Sequence, residues 1–220
     1  MSDPMLHIHV TNDPVYVENG YTVYLREGGP CWIVDPGLPP QAQEIVRHVK
    51  EKSLEPAAIM ITHAHADHIA GIDDVRKELG PIPVYLAKEE WDALRNPIEN
   101  LSGMIGPGFA TDVHDPRDLA PGDTLELDGA TWRVLDVSGH SPGGRAFYCS
   151  EHNLVFVGDA LFMGSVGRVD FPHSSGDRLI RNLRENLMTL PDETRVLSGH
   201  GPETTIGRER ETNLYIIHGM

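Results

Sequence analysis

The 220-residue chain has only two cysteines, Cys31 and Cys149. Two thiols cannot form a disulfide framework, and each sits in an apolar run of strand-like composition (CWIVD and AFYCS). Both are therefore read as buried, reduced side chains of a protein in a reducing, cytoplasmic setting. No stretch approaches the roughly 20 apolar residues that cross a bilayer, and MSDPMLHIHV lacks the basic-then-apolar layout of a signal peptide. Positive charge is also scarce: 18 Lys and Arg face 33 Asp and Glu, a net charge of −15. Such a balance repels phosphate backbones and anionic lipid, so neither nucleic acid nor membrane is expected as a partner. Low-complexity tracts, Ser-rich linkers and tandem repeats are missing too. With 40% hydrophobic residues to build a core, residues 1–220 are read as one domain.

Apolar runs bounded by turn residues predict strands at Leu6–Val10, Val15–Tyr24, Cys31–Val34 and Ala58–Thr62. Helical spacing predicts a helix over Gln41–Lys52 and another after His68 through Ile72, Val75 and Leu79, ending at Gly80-Pro81. A strand at Ile82–Leu86 and a short helix at Glu89–Leu94 follow. Gly, Pro and Met then gather over Asn96–Pro116, which reads as a long loop with little regular structure, of a length that is often functional in compact domains. Strands resume at Thr124–Leu127, Thr131–Val137, Arg145–Cys149 and Leu154–Val157. The pattern closes with a helix over Asp177–Leu190, a strand at Thr194–Leu197 and a helical run after Ile206. The result is an α/β protein with two β/α halves.

What the chain has in excess is histidine: twelve residues, three of them within His63-Ala64-His65-Ala66-Asp67-His68. The motif follows a predicted strand and precedes a predicted helix. In extended backbone, residues two apart face the same side, so His63 and His65 address one point. Asp67 and His68, at the turn into the helix, address a second. Imidazole and carboxylate suit Zn²⁺ and other borderline ions, and the split suggests two metals in one cleft. Three later strand ends offer further ligands after a glycine: Gly139-His140, Gly158-Asp159 and Gly199-His200. Asp35, in Val34-Asp35-Pro36-Gly37, ends another strand and is expected to orient a ligand histidine from behind. Arg168 is expected to pair with Asp170. His173, beside the Phe171-Pro172 turn, stands where it could approach the metal cleft but is read as an ordinary loop histidine, and the histidines at 7, 9, 48, 114, 152 and 218 lack strand-end context.

These residues, taken in order, resemble the seven-ligand set of the metallo-β-lactamase superfamily. The resemblance implies a four-layer αβ/βα sandwich, two mixed sheets with outer helices, with metals at one edge. It assigns His63, His65 and His140 to one metal and Asp67, His68 and His200 to the other, with Asp159 bridging. It makes Asp67 and Asp159 the carboxylates of the catalytic centre.

The likeness is to the short bacterial glyoxalase II branch, through Gly139-His140-Ser141-Pro142-Gly143, Gly158-Asp159-Ala160-Leu161-Phe162, Gly167-Arg168-Val169-Asp170-Phe171-Pro172 and Gly199-His200-Gly201-Pro202. It implies hydrolysis of S-lactoylglutathione or a related small acyl thioester by a hydroxide bridging two divalent ions. Zinc is the expected metal, with iron or manganese also suited to these donors. Full-length glyoxalase II has a C-terminal glutathione-binding region with no counterpart among the residues after His200, so an apolar wall at Met104–Phe109 is a candidate substitute. The alternative is a persulfide dioxygenase, which resembles the same motifs but uses one iron on residues matching His63, His140 and Asp159. Those enzymes typically show Ala-His-Asp where this chain reads Gly199-His200-Gly201. β-Lactamases usually carry Cys or His at the Asp159 position, and the superfamily's RNA nucleases need a basic arm that is absent.

Overall fold

The computed structural model describes residues 5–219. In the first half, strands β1 (His7–Asn12), β2 (Asn19–Tyr24) and β3 (Pro30–Val34) lead through helix α1 (Gln41–Glu51) to β4 (Glu55–Met60). Helices α2 (Ala66–Ile69) and α3 (Ile72–Leu79), strand β5 (Val84–Leu86), the four-residue helix α4 (Ser102–Ile105) and strand β6 (Arg117–Asp118) complete it. The second half contains β7 (Thr124–Leu127), β8 (Ala130–Asp136), β9 (Arg145–Cys149), β10 (Leu154–Gly158), β11 (Leu161–Phe162) and β12 (Ser165–Val166). It ends with α5 (Gly176–Asn182), β13 (Arg195–Ser198), β14 (Thr204–Thr205), α6 (Ile206–Thr212) and α7 (Leu214–His218).

The strands form two six-stranded mixed sheets, ordered β1-β2-β3-β4-β5-β6 and β14-β13-β10-β9-β8-β7, and β11 pairs with β12 apart from them. Three buried layers separate four layers of structure. Between the sheets lie Trp32, Trp132, Phe147, Phe156 and Cys149. Trp132 stacks on Phe156 with ring centroids 5.7 Å apart, a contact that adds about 0.5–1.5 kcal/mol beyond its area. Outside the first sheet, Ile45, Val49, Ile72 and Val75 of α1 and α3 cover Ile33 and Ile59. Outside the second, Leu179, Leu183 and Leu187 cover Val155, Val157 and Val196. This is the αβ/βα sandwich expected. Both cysteines are buried free thiols, and no helix among the described residues is long and apolar enough to cross a membrane.

Several boundaries depart from expectation for local reasons. The run Val15–Tyr24 is a strand only from Asn19. Buried Asp13 accepts hydrogen bonds from the amides of Val15 and Tyr16 at 2.7 Å and of Glu18 at 2.8 Å, closing a turn before β2. The helix after His68 breaks at Gly71, whose amide donates to Pro36 O at 2.6 Å. The Glu89–Leu94 helix is two 3₁₀ turns, Lys88–Glu90 and Asp92–Arg95. The Asp177–Leu190 helix changes to a π turn at Leu183–Leu187. Asn96–Pro116 is irregular apart from α4, but it is anchored: buried Asn100 donates to Ala93 O at 2.9 Å and Phe109 O at 3.1 Å, and its carbonyl accepts from Ala66 N at 2.8 Å.

Candidate metal centre

Topology gathers the donors. β3 and β4 run parallel, as do β10 and β13. β8 and β10 are both antiparallel to β9 and so share a direction. The carboxyl ends of β4, β8, β10 and β13 therefore open on one edge, carrying respectively the His63–His68 motif, His140, Asp159 and His200. The two sheets are tied at this edge: Arg145 N donates to Thr62 O at 2.9 Å and Asn19 N to Gly199 O at 2.6 Å. Ser198 O accepts from the Tyr21 hydroxyl at 2.6 Å. Gly158 is left-handed at φ 52°, and a Cβ there would collide with the Thr62 side chain. A Cβ at Gly199 would strike Asp159 and the ring of His68.

All seven expected donors converge. Donor atoms of His63, His65 and His140 lie within 4.8 Å of one another, as do those of Asp67, His68 and His200, and Asp159 groups with His63 and His68. Asp159 stands between the two sets: Oδ1 is 3.3 Å from His68 Nε2, and Oδ2 is 3.7 Å from His140 Nε2 and 3.4 Å from His200 Nε2. Asp67 Oδ2 is 3.3 Å from His200 Nε2. His140 Nε2 faces His65 Nδ1 at 3.0 Å.

A further set of groups holds the imidazoles from behind. Asp35 Oδ2 lies 3.0 Å from His68 Nδ1, as expected of it. It also accepts from Thr62 Oγ1 at 2.6 Å, and Thr62 Oγ1 is 3.1 Å from His63 Nδ1. Arg168 O lies 2.7 Å from His140 Nδ1, and Tyr16 O 3.0 Å from His200 Nδ1. With Nδ1 engaged, these four rings present Nε2 to the centre, the arrangement that fixes the tautomer of a metal-ligating imidazole.

The fit to cations shows in what is unsatisfied. His63 Nε2, His68 Nε2 and Asp159 Oδ1 are buried without a hydrogen-bond partner, a costly state for polar atoms unless a cation engages them. Charge tells the same story. Burial drives the His63 pKa well down and that of His65 to about 3. At His68 burial also opposes charge, but Asp159 and Asp67 outweigh it and raise the pKa well above the usual value. At His200, Asp159 and Asp67 overcome burial and raise it to about 10. Burial would raise the Asp159 pKa, yet His68 and His200 hold it well below the usual range. The carboxylates thus demand positive charge at this point, and the donor chemistry is compatible with two divalent ions.

Two residues that matter here carry no signal in the sequence pattern. Buried Glu90 joins two ligand loops, its Oε1 accepting from Gly143 N at 2.7 Å and its Oε2 from Ala64 N at 3.3 Å. Buried Glu18 lies 3.7 Å behind His68 Nδ1 and accepts from Gln41 Nε2 at 2.8 Å. Of the other expectations, Arg168 pairs with Asp170 at 2.7 Å. Arg145 is buried against Glu89 and Asp136. His173 faces Glu99 at 3.5 Å and lines, with His65, the larger cleft beside the donors.

Five of the donors, His65, Asp67, His140, Asp159 and His200, form the floor of a cavity of about 550 Å³ walled by Tyr16, Met104, Phe162, Val166 and Phe171. Met104 belongs to this wall, but Phe109 packs instead against the core under α1 and α3. A larger cleft of about 820 Å³ shares His65 and Leu101 with it.

Residues 15–200 match the metallo-beta-lactamase superfamily, and the chain belongs to it. Over 194 residues it is 39% identical to the probable metallo-hydrolase YqgX of Bacillus subtilis, covering 88% of this chain and 90% of that one. It is 30% identical over 185 residues to the hydroxyacylglutathione hydrolase GloC of Haemophilus influenzae, covering 84% and 86%. The fold superposes on the BLEG-1 B3 metallo-beta-lactamase with a TM-score of 0.88 at 34% identity, covering 96% of this chain and 99% of that one. It also superposes on TTHA1623 in a di-iron-bound form, with a TM-score of 0.82 at 36% identity, covering 94% and 99%.

Proposed function

We propose that the protein is a dinuclear metal-dependent hydrolase of small acyl thioesters, S-lactoylglutathione or a relative, acting in the cytoplasm. The observation that carries the reading is the complete donor set with Asp159 between its two halves. His63, His65 and His140 would hold one ion, Asp67, His68 and His200 the other, and Asp159 both. Zinc is the metal we favour. Two bound divalent ions supply a nucleophile at neutral pH and polarise the scissile carbonyl.

The chain's own residues then orient and enclose. Asp35, Thr62, Arg168 O and Tyr16 O hold the rings in register, and Phe162 and Phe171 pack edge-on against the donor rings at the cavity floor. Hydrolysis adds water across the C–S bond and releases a carboxylate and a thiol. Apart from five of the donors, His65, Asp67, His140, Asp159 and His200, the ionisable side chains lining the cavity among the described residues are Tyr16 and Arg168. No spare carboxylic acid or imidazole stands ready to protonate a leaving group. A thiolate departs without that help, whereas an amine needs it, which favours thioesters over amides and lactams. The likeness to GloC points the same way. The run Gly199-His200-Gly201, where persulfide dioxygenases typically show Ala-His-Asp, favours the hydrolase over the single-iron dioxygenase.

The test is thiol release from S-lactoylglutathione by the metal-loaded protein, run beside β-lactam opening and oxygen uptake on glutathione persulfide. Thiol release that rises with metal loading is expected. Oxygen uptake, or lactam opening faster than thiol release, would overturn the assignment.

A further inference from the structure

The cavity wall above the metal donors is apolar and comes from four separate segments. Tyr16 belongs to the turn before β2, Met104 to α4, Phe162 to β11 and Phe171 to the segment between β12 and α5. The apolar surface starts at the donors themselves. Phe171 meets His65 and His140 edge-on, with centroids 5.2 and 5.8 Å apart, and Phe162 meets His200 at 6.1 Å. At the mouth, Tyr16 and Met104 are 41% and 70% exposed.

Charge around the two approaches is arranged against an anionic peptide. Arg168 is the one Lys or Arg lining the cavity among the described residues. Its Nε and Nη2 each donate to Asp170 at 2.7 Å, and the guanidinium lies 4.3 Å over the Phe171 ring. The bidentate pair carries no net charge and, through its stacking on Phe171, extends the wall. The larger cleft sets Glu89, Glu90, Asp92 and Glu99 against Arg95 and Arg178. Neither approach offers a surplus of cations to receive the two carboxylates of a glutathione moiety.

We infer that the cavity of Tyr16, Met104, Phe162 and Phe171 receives an apolar group of the substrate, a ring or short alkyl chain, so that thioesters bearing one are preferred over glutathione thioesters. The inference rests on the thioester hydrolase reading and names its substrate class. The group can belong to either side of the C–S bond, and the choice of substrates separates the two. In an apolar pocket each added methylene is worth about tenfold or more in kcat/KM, so the preference is large enough to read by steady-state kinetics.

The experiment compares four thioesters on the metal-loaded protein: S-lactoylglutathione, S-lactoyl-N-acetylcysteamine, S-phenylacetyl-N-acetylcysteamine and the lactoyl thioester of benzyl mercaptan. All four release alkyl thiols. At least one ring-bearing ester should exceed S-lactoyl-N-acetylcysteamine by about tenfold or more in kcat/KM, and glutathione should bring no gain over N-acetylcysteamine. A faster phenylacetyl ester places the acyl group in the cavity, and a faster benzyl ester places the thiol there. Met104→Ser with Phe162→Ser should shrink the ring's advantage through KM, and Asp170→Asn, which frees Arg168, should raise the relative rate on S-lactoylglutathione. A wild-type preference for S-lactoylglutathione, or a ring advantage that survives the double substitution, overturns the inference while leaving the hydrolase reading standing. Turnover of none of the four by protein carrying its metals defeats that reading, and the inference with it.

Discussion

Asp35 Oδ2 lies 3.0 Å from His68 Nδ1. The same oxygen accepts from Thr62 Oγ1, so one buried carboxylate orients His68 directly and His63 through a hydroxyl. Partners of this kind tune a site without touching its ion: their loss typically weakens metal binding by about 10–100-fold. Asp35→Ala should show that loss in competition with a chromophoric chelator. Unchanged affinity would mean that the histidines are held by packing alone.

Asp159 has the opposite character, since it reaches both donor sets. Asp159→Ala should therefore lower metal content at both positions and reduce thioester hydrolysis by more than about 10²-fold, as should His63→Ala on activity. His200→Ala, by contrast, should deplete one position more than the other. Near-normal turnover of Asp159→Ala would remove that residue from the centre.

Glu90 is a stability prediction. Its carboxylate accepts from the amides of Ala64 and Gly143 and so joins the first ligand loop to the loop of His140. Losing hydrogen bonds to a charged acceptor costs about 2 kcal/mol, or roughly 4–8 °C in melting temperature for a chain of this size. Thermal denaturation of Glu90→Ala should show a drop of that order, and Glu90→Gln, which keeps one acceptor oxygen, a smaller one. Equal melting temperatures for Glu90→Ala and the wild type would show that the loops are joined by other contacts.

A pH dependence follows from the outer face of the first sheet. The His9 and His48 rings stack at 3.7 Å with planes 6° apart. Burial depresses the His48 pKa from 6.5 to about 4 and also lowers that of His9. A depressed histidine means that the unfolded chain binds the proton more readily, so this contribution is present above pH 6.5 and is lost as pH falls toward 4. His48→Phe keeps a ring in the stack and removes its proton. Melting temperatures followed across that interval should fall less steeply for the variant than for the wild type, whereas parallel curves would contradict the stacked, neutral pair.

The donors were legible in the sequence because each stands at a strand end, and six of the seven lie in the His63–His68 motif or directly before a Gly-Pro or Ser-Pro turn. The groups behind them were mostly not. Asp35 was recognisable because it too ends a strand, but Glu18 and Glu90 reach the centre only through the packing of the two sheets and of a 3₁₀ turn. The element errors have the same origin. The apolar run from Val15 reads as a strand until Asp13 captures its amides, and the helical period after His68 runs on until the backbone of Pro36 presses on Gly71. Met104 was separated from Phe109 by tertiary packing, which turned one to the cavity and the other to the core.

The central claim is that two cations share Asp159. The most direct test is elemental analysis of the purified protein, with calorimetric titration of the chelated, reloaded chain. About two metals per chain are predicted, with the second lost preferentially in His200→Ala. A single iron per chain, unaffected by that substitution, would contradict the account.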